Sequence, residues 1–398
     1  MRTSARNIRL TSAGAKLALV AAGIMLASSA FAADPIKIGV VESKTGFMQG
    51  YDGPPSQGVE LAVKDINAAG GVLGRPLEII SYDQKTDPAL AATGATQLID
   101  QGAVAIVAAC DFDFGSPAAV VANAKQIPAI STCAGDPKFG VQGIGPYAYM
   151  MALGSNYQAG ALAEWTYNKK SWKTAYVITD ETVEYTKGLA RYFKEAFTGI
   201  GGSVVGEASI SMKDLSIAAQ ITSLKALNPQ PDMIFIASFV PDLTAAVKQL
   251  RAAGVNTPIV GGSGYDGEDW AKAIPGLSDV YFGAEGYTFG PDVPSEWALV
   301  EKYKAAYGSD PTSNTFLTGY AVIQAFAAAI TQAGSTDGPA INDKLSNLKD
   351  LPTALGNLSY TPDYHSPVRP MALNAFKDGK EIFLEFVTPT KWPDAFPK

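Results

Sequence analysis

The sequence predicts an α/β protein of two lobes, each an open and mostly parallel sheet flanked by helices. Three observations carry that expectation. Short apolar runs alternate with amphipathic helical stretches from Pro35 onward, the alternation restarts at Thr174, and 398 residues are long enough for two such units. The composition is that of a folded chain, with 47% hydrophobic and 17% charged residues, so apolar burial can offset the entropy of ordering.

In the first half, Ile36–Val41, Leu77–Tyr82, Val104–Ala109 and Pro128–Ser131 are apolar enough to be strands buried on both faces. Between them, Pro54–Ala69 puts Val59, Ala62, Val63 and Ile66 on one helical face, and Gly70-Gly71 stops it. Further helices are expected near Pro88–Gln101 and Pro117–Lys125. Strand and helix in repeated order predict right-handed crossovers. The second half repeats the scheme with strands at Thr174–Thr179, Ser203–Ala208, Asp232–Ala237 and Pro258–Val260, and helices near Thr186–Gly199, Ile217–Leu227 and Leu243–Ala253. A strand at Val280–Glu285 precedes helices near 294–308, 314–334 and 338–348, and Asp378-Gly379 marks a terminal hairpin. Open sheets bind ligands beyond the carboxyl ends of their strands, so those loops are the candidate site.

The amino terminus has the features of an export signal. Arg2, Arg6, Arg9 and Lys16 form an acid-free basic region, Leu17–Ala27 is apolar, and Ala30-Phe31-Ala32 supplies a small-x-small cleavage site. The apolar run is about half of the ~20 residues a membrane span needs. Removing residues 1–32 takes four cations and no acids from a net charge of −7, leaving −11. That balance argues against nucleic acid or an anionic membrane as partners, and the mature chain is expected to stay out of the membrane. Export also permits a disulfide between Cys110 and Cys133, which end two neighbouring strand candidates; two buried free thiols are the alternative.

His365 is the only histidine, so triads, zinc–histidine clusters and Cys–His pairs have almost nothing to draw on. The Gly262–Gly267 segment matches G-x-G-x-x-G but lies late in an exported chain and reads as a strand-end loop. Asp180, Glu181 and Glu184 suit a helix start better than acid–base chemistry, and His365 suits a surface or structural place in a loop. No cofactor, no metal and no enzymatic activity are expected. Aromatic residues recur after the strands instead: Tyr51, Phe112, Phe114, Tyr185, Phe239 and Tyr265 suggest a pocket walled by rings, closed by movement of the lobes.

The ordered set Ile36-Lys37-Ile38-Gly39-Val40-Val41, Thr45-Gly46, Lys64–Gly71 with Gly74, Tyr82-Asp83, Asp87-Pro88 and Ile127–Ser131 resembles the periplasmic solute-binding proteins of branched-chain-amino-acid-type ABC importers. The likeness continues through Gly188, Arg251 to Gly254 and Pro311 to Tyr320. It implies the type I two-lobe periplasmic-binding fold with three hinge segments. One lobe would be 33–152 plus 285–352, the other 153–284 plus 353–398. It implies a periplasmic monomer that hands a small organic ligand to a membrane permease.

The resemblance also assigns site positions. Tyr51 falls where an aromatic ring covers the ligand; Phe112 and Asp113 fall on a loop that usually holds the ligand carboxylate. Ala134 and Gly135 stand where a Thr hydroxyl is common, Tyr185 and Phe239 keep aromatic positions, and Ser263 replaces the acid that usually meets the ligand ammonium. Tyr265 follows on the same loop. Loss of that acid favours an aromatic or branched carboxylate, with Asp113 and Asp266 as substitute ammonium partners if the ligand is instead a branched-chain or aromatic amino acid. A ligand-sensing receptor subunit is a further alternative on the same fold.

Overall fold

The structure is a computed structural model and describes residues 34–211 and 216–396; the export signal expected at 1–32 lies outside them. Five strands, β1 (Ile36–Glu42), β2 (Leu77–Asp83), β3 (Ala103–Ala108), β4 (Ala129–Ser131) and β5 (Ala148–Met150), form the first sheet in the order β2-β1-β3-β4-β5. Every neighbouring pair is parallel. Ile38, Val41, Ala105 and Ile106 are fully enclosed, which is why these strands read as unbroken apolar runs.

The crossover helices are α1 (Gln49–Ala68), α2 (Pro88–Asp100) and α3 (Phe112–Ala124). Asp87 caps α2 by accepting from Ala89 N at 2.8 Å, with Pro88 at the first helical position. The helix α3 begins five residues before the expected Pro117, because the Asp111 side chain accepts from Asp113 N at 2.8 Å and starts the helix there. Likewise α1 begins at Gln49 and carries Pro54 and Pro55 inside it.

The second sheet contains β6 (Thr174–Asp180), β7 (Ser203–Ile210), β8 (Met233–Ala237), β9 (Ile259–Gly261) and β10 (Val280–Ala284), all parallel to their neighbours. A small hairpin, β11 (Leu351–Thr353) and β12 (Gly356–Leu358), precedes β13 (Met371–Lys377) and β14 (Lys380–Val387). The last two extend the second sheet antiparallel, giving β14-β13-β10-β9-β8-β6-β7. Asp378 and Gly379 both have positive φ, the conformation a two-residue hairpin turn requires.

Seven further helices complete the described residues: α4 (Ser155–Glu164), α5 (Glu184–Gly199), α6 (Ala218–Lys225), α7 (Asp242–Ala252), α8 (Pro294–Tyr307), α9 (Phe316–Ala333) and α10 (Gly338–Ser346). The sequence reading missed α4. Its residues Ser155–Ala163 are buried all round, so there is no polar face to create a period. The helix α9 is apolar and long enough to cross a membrane, yet Phe316, Leu317, Val322, Ile323 and Phe326 are enclosed in the first core against α1.

The first core gathers β1–β5, α1, α9 and α10, and it also takes Ala354, Leu355, Leu358 and Tyr360. These residues were expected in the second lobe from 353 onward. The β11–β12 hairpin instead folds its leucines back on the first core, and His365 stacks on Tyr149 of β5 at 3.8 Å, so the return crossing falls after Ser366. The chain passes between the sheets near Leu153, Glu285 and Arg369. One buried ion pair joins all three: Arg369 Nη2 lies 2.5 Å from Glu285 Oε2, Nη1 donates to the Glu285 carbonyl at 3.0 Å, and Leu153 N donates to the same carboxylate at 3.2 Å.

Candidate functional site

The strand-end loops of the two lobes face each other across a cavity of about 50 Å³. At ~10–15 Å³ per water position it has the room of a few waters or one compact solute. The first lobe supplies Met48 from the N-cap of α1 and Tyr51 from its first turn, the Cys110–Cys133 disulfide and Asp111; the second supplies Val183, Tyr185, Phe239 and Ser263. Glu285 reaches it from the crossing, and Thr315 from the cap of α9.

Hydrogen bonds across the mouth hold the lobes together. The Tyr51 hydroxyl accepts from Val240 N at 2.7 Å, and the Tyr51 ring meets Phe239 edge-on at 5.9 Å. Asp113 Oδ2 accepts from Glu184 N at 2.8 Å, beside a Lys138–Glu184 ion pair of 2.7 Å. Hydrogen bonds from Lys138 and Lys187 hold the Glu184 carboxyl down at about 2. Asp266, on the second lobe, accepts from the Ser313 hydroxyl and from Asn314 N (2.8 Å) on the first.

Behind the cavity wall, polar groups form an ordered chain that ends on the lining residues Tyr185 and Ser263. Gln158 of α4 donates from Nε2 to Leu153 O at 2.8 Å, which fixes Oε1 as the acceptor for the Tyr185 hydroxyl (3.0 Å) and Ser263 N (3.2 Å). With the Tyr185 proton committed to Gln158, Ser263 Oγ at 3.2 Å donates to the Tyr185 oxygen. Its lone pairs are then left for a ligand. Burial pushes the Tyr185 hydroxyl up to about 12. Burial, then the neighbouring Asp113 charge, pushes Asp111 up to about 8, while Asp113 N lowers it. Asp111 also has φ +76°, a conformation L-residues seldom adopt and one that concentrates at ligand sites. Burial raises the Glu285 carboxyl as well, against the pull of Arg369. Among the described residues, no Lys or Arg lines the cavity.

Of the expected site residues, the structure brings Tyr51, Tyr185, Phe239 and Ser263 together with the disulfide. Five others lie outside the lining. Phe112 turns edge-on to Phe139 (6.5 Å), and Asp113 is spent on Glu184 across the mouth. Ala134 is wholly enclosed, its N–H given to Ser131 Oγ at 3.0 Å. Gly135 backs the Tyr185 ring so closely that a Cβ there would lie 2.7 Å from it. Tyr265 points into the second core and donates to Ile236 O at 2.7 Å. Asp266, a candidate ammonium partner, is committed to Ser313 and Asn314. The reading missed Asp111, Glu285 and Gln158. The first two end strands, a signal that was available; Gln158 sits on the helix that left no period.

Residues 35–381 match the model of the periplasmic binding protein family. The chain belongs to the periplasmic binding proteins. As a binding protein it is 28% identical over 387 residues to the Leu/Ile/Val-binding protein homolog 3 of Brucella melitensis, covering 95% of this chain and all of that one. It is 27% identical to the Leu/Ile/Val-binding protein of Escherichia coli over 86% of this chain and 91% of the relative. Among solved structures, the branched-chain amino acid transporter substrate binding protein of Streptococcus pneumoniae, in complex with isoleucine, superposes with a TM-score of 0.81 at 27% identity. That match covers 89% of this binding protein and 100% of the other.

Proposed function

We propose that the protein captures a small apolar α-amino acid between its lobes and delivers it to the permease of an ABC importer. One observation carries the ligand class: the polar lining is rich in acceptors. Ser263 presents lone pairs, Asp111 and Glu285 present carboxyls, and among the described residues no Lys or Arg lines the cavity. An ammonium is the ligand group that such a lining accommodates, whereas a simple carboxylate would meet two acids and no cation. Tyr51, Phe239, Met48 and Val183 supply apolar walls for the side chain. Relatives named for leucine, isoleucine and valine binding support the class.

Glu285 is already paired with Arg369, so Asp111 is the acid free to meet the ammonium. A second reading, an aromatic or branched carboxylate, is favoured by the same Asp111 in its protonated form, which would donate to the anion. The two readings separate on one ligand series: leucine, its des-amino counterpart 4-methylpentanoate, and benzoate, compared by thermal shift and calorimetry. Ligand at about 100 times Kd adds ~2.7 kcal/mol to stability, enough to read. Leucine alone should stabilise; equal or tighter binding of 4-methylpentanoate would overturn the amino-acid reading. We read the protein as transporter component over sensor, because its relatives are transport binding proteins; unchanged uptake on deletion would reverse that.

A further inference from the structure

A second cavity, of about 280 Å³, lies where the loop after β4, the start of α4, the return crossing and the C-terminal segment meet. It shares no lining residue with the cleft. Three nearly enclosed polar side chains line it: His365 (2% exposed), Asn156 (2%) and Ser366 (4%).

The hydrogen bonds fix what two of them offer. His365 Nδ1 is 2.9 Å from the Ala148 carbonyl, which can only accept, so Nδ1 carries the hydrogen. Burial pushes the imidazole down to about 4, so the ring is neutral and Nε2 is an acceptor; it has no hydrogen-bond partner among the described residues. Asn156 Nδ2 donates to Pro393 O at 3.0 Å, which leaves Oδ1 as an acceptor, with the Tyr364 hydroxyl near it. Ser366 and Tyr364 add two hydroxyls to the lining, each able to donate or accept. Among the described residues the charged ones of the lining are Asp363 and Asp394, with no Lys or Arg, and the aromatic walls include Phe139, Tyr364 and Trp392. His365 Nε2, enclosed and without a donor among the described residues, calls for a ligand that brings one. Two carboxylates and several rings call for a positive one.

We propose that this cavity is a second binding site, which takes the primary ammonium group of a small organic cation on His365 Nε2 and Asn156 Oδ1, beside the carboxylates of Asp363 and Asp394. The aromatic walls receive the alkyl part. The site is independent of the cleft and of the ligand proposed for it.

Because His365 is the only histidine in the chain, its ring nitrogens give a single imidazole signal in a long-range proton–nitrogen NMR spectrum of the untagged protein. Butylammonium chloride, titrated in the millimolar range, should move the Nε2 resonance along a saturable curve. Sodium chloride at the same ionic strength should not. Tetramethylammonium, which has the charge but no N–H, and butanol, which lacks the charge, should bind about tenfold more weakly or not at all. The exposed pair Asp363→Asn and Asp394→Asn should weaken butylammonium by about tenfold. Tyr185→Ala, in the cleft, should leave the curve in place. Absence of a saturable shift, an equal response to butanol or sodium chloride, or loss of the response in Tyr185→Ala would each overturn the proposal.

Discussion

At the scale of single residues, the cleft works by committing protons. Gln158 takes the Tyr185 proton, Tyr185 takes that of Ser263, and Ser263 is left as an acceptor. Ser263 itself brings no counter-ion for an ammonium; Asp111 stands on the facing lobe. Two predictions belong here. Asp111→Asn keeps the shape and removes the titratable group, so affinity for leucine should fall by about tenfold or more, while 4-methylpentanoate binding should change little; calorimetry on both ligands checks it. Tyr51→Phe removes the hydroxyl that accepts from Val240 N across the mouth. A net hydrogen bond is worth about 1 kcal/mol, so ligand should bind about fivefold more weakly, with the change in the dissociation rate seen by stopped-flow fluorescence. An unchanged dissociation rate would show that this bond does not hold the closed form.

At the scale of elements, the sheets were legible and the all-buried or side-chain-capped parts were not. Apolar runs located β1 to β4 and β6 to β10 because most are enclosed on both faces, while the edge strands β2 and β7 are partly exposed but still rich in β-formers. The three-residue β5 and the enclosed helix α4 left no period, and α3 was placed late because Phe112 and Asp113, which follow its cap Asp111, read as loop. The same gap hid Gln158 and with it the logic of the cleft. The disulfide tests how elements are joined. It links the ends of β3 and β4, 23 residues apart, and its sulfurs line the cleft. On the chain-entropy account such a loop contributes about 3 kcal/mol. Replacing both cysteines by serine should lower the melting temperature by several degrees and weaken ligand binding; a melting curve unaffected by the change would refute the structural role. The α1–α9 contact offers a second test. Gly58 faces the Phe316 carbonyl and Gly319 faces that of Pro55, each too close for a Cβ. Either glycine changed to alanine must spread the two helices at the centre of the first core, at a cost of about 1–3 kcal/mol, readable by denaturant titration.

At the scale of the whole molecule, buried acids should govern stability across the physiological pH range. Burial pushes Asp52, Asp266 and Glu296 up to about 7 and Asp111 up to about 8, and it raises Glu381 beside Asp266. An acid whose folded pKa lies above its unfolded value holds its proton in the native state after the unfolded chain has lost it. Its contribution is full below the unfolded pKa, near 4, and disappears as pH rises through 7 to 8. His365 works the other way, since a folded value of about 4 makes the native state lose stability as pH falls below the free histidine value of about 6.5. Glu184 and the lowered, mostly exposed Asp65, Asp83 and Asp232 act only below about 4. Between about pH 6.5 and 8 the buried acids are therefore unopposed. The melting temperature of the ligand-free protein should fall by several degrees across that window, and Asp111→Asn should flatten its upper part. Two of the groups, Asp111 and Asp266, lie at the closing surfaces, so the same titration loosens the union of the lobes as well as the fold. A flat or rising profile between pH 6.5 and 8 would mean that these carboxylates stay ionised in the native state, and that the charge Asp111 offers a ligand is permanent.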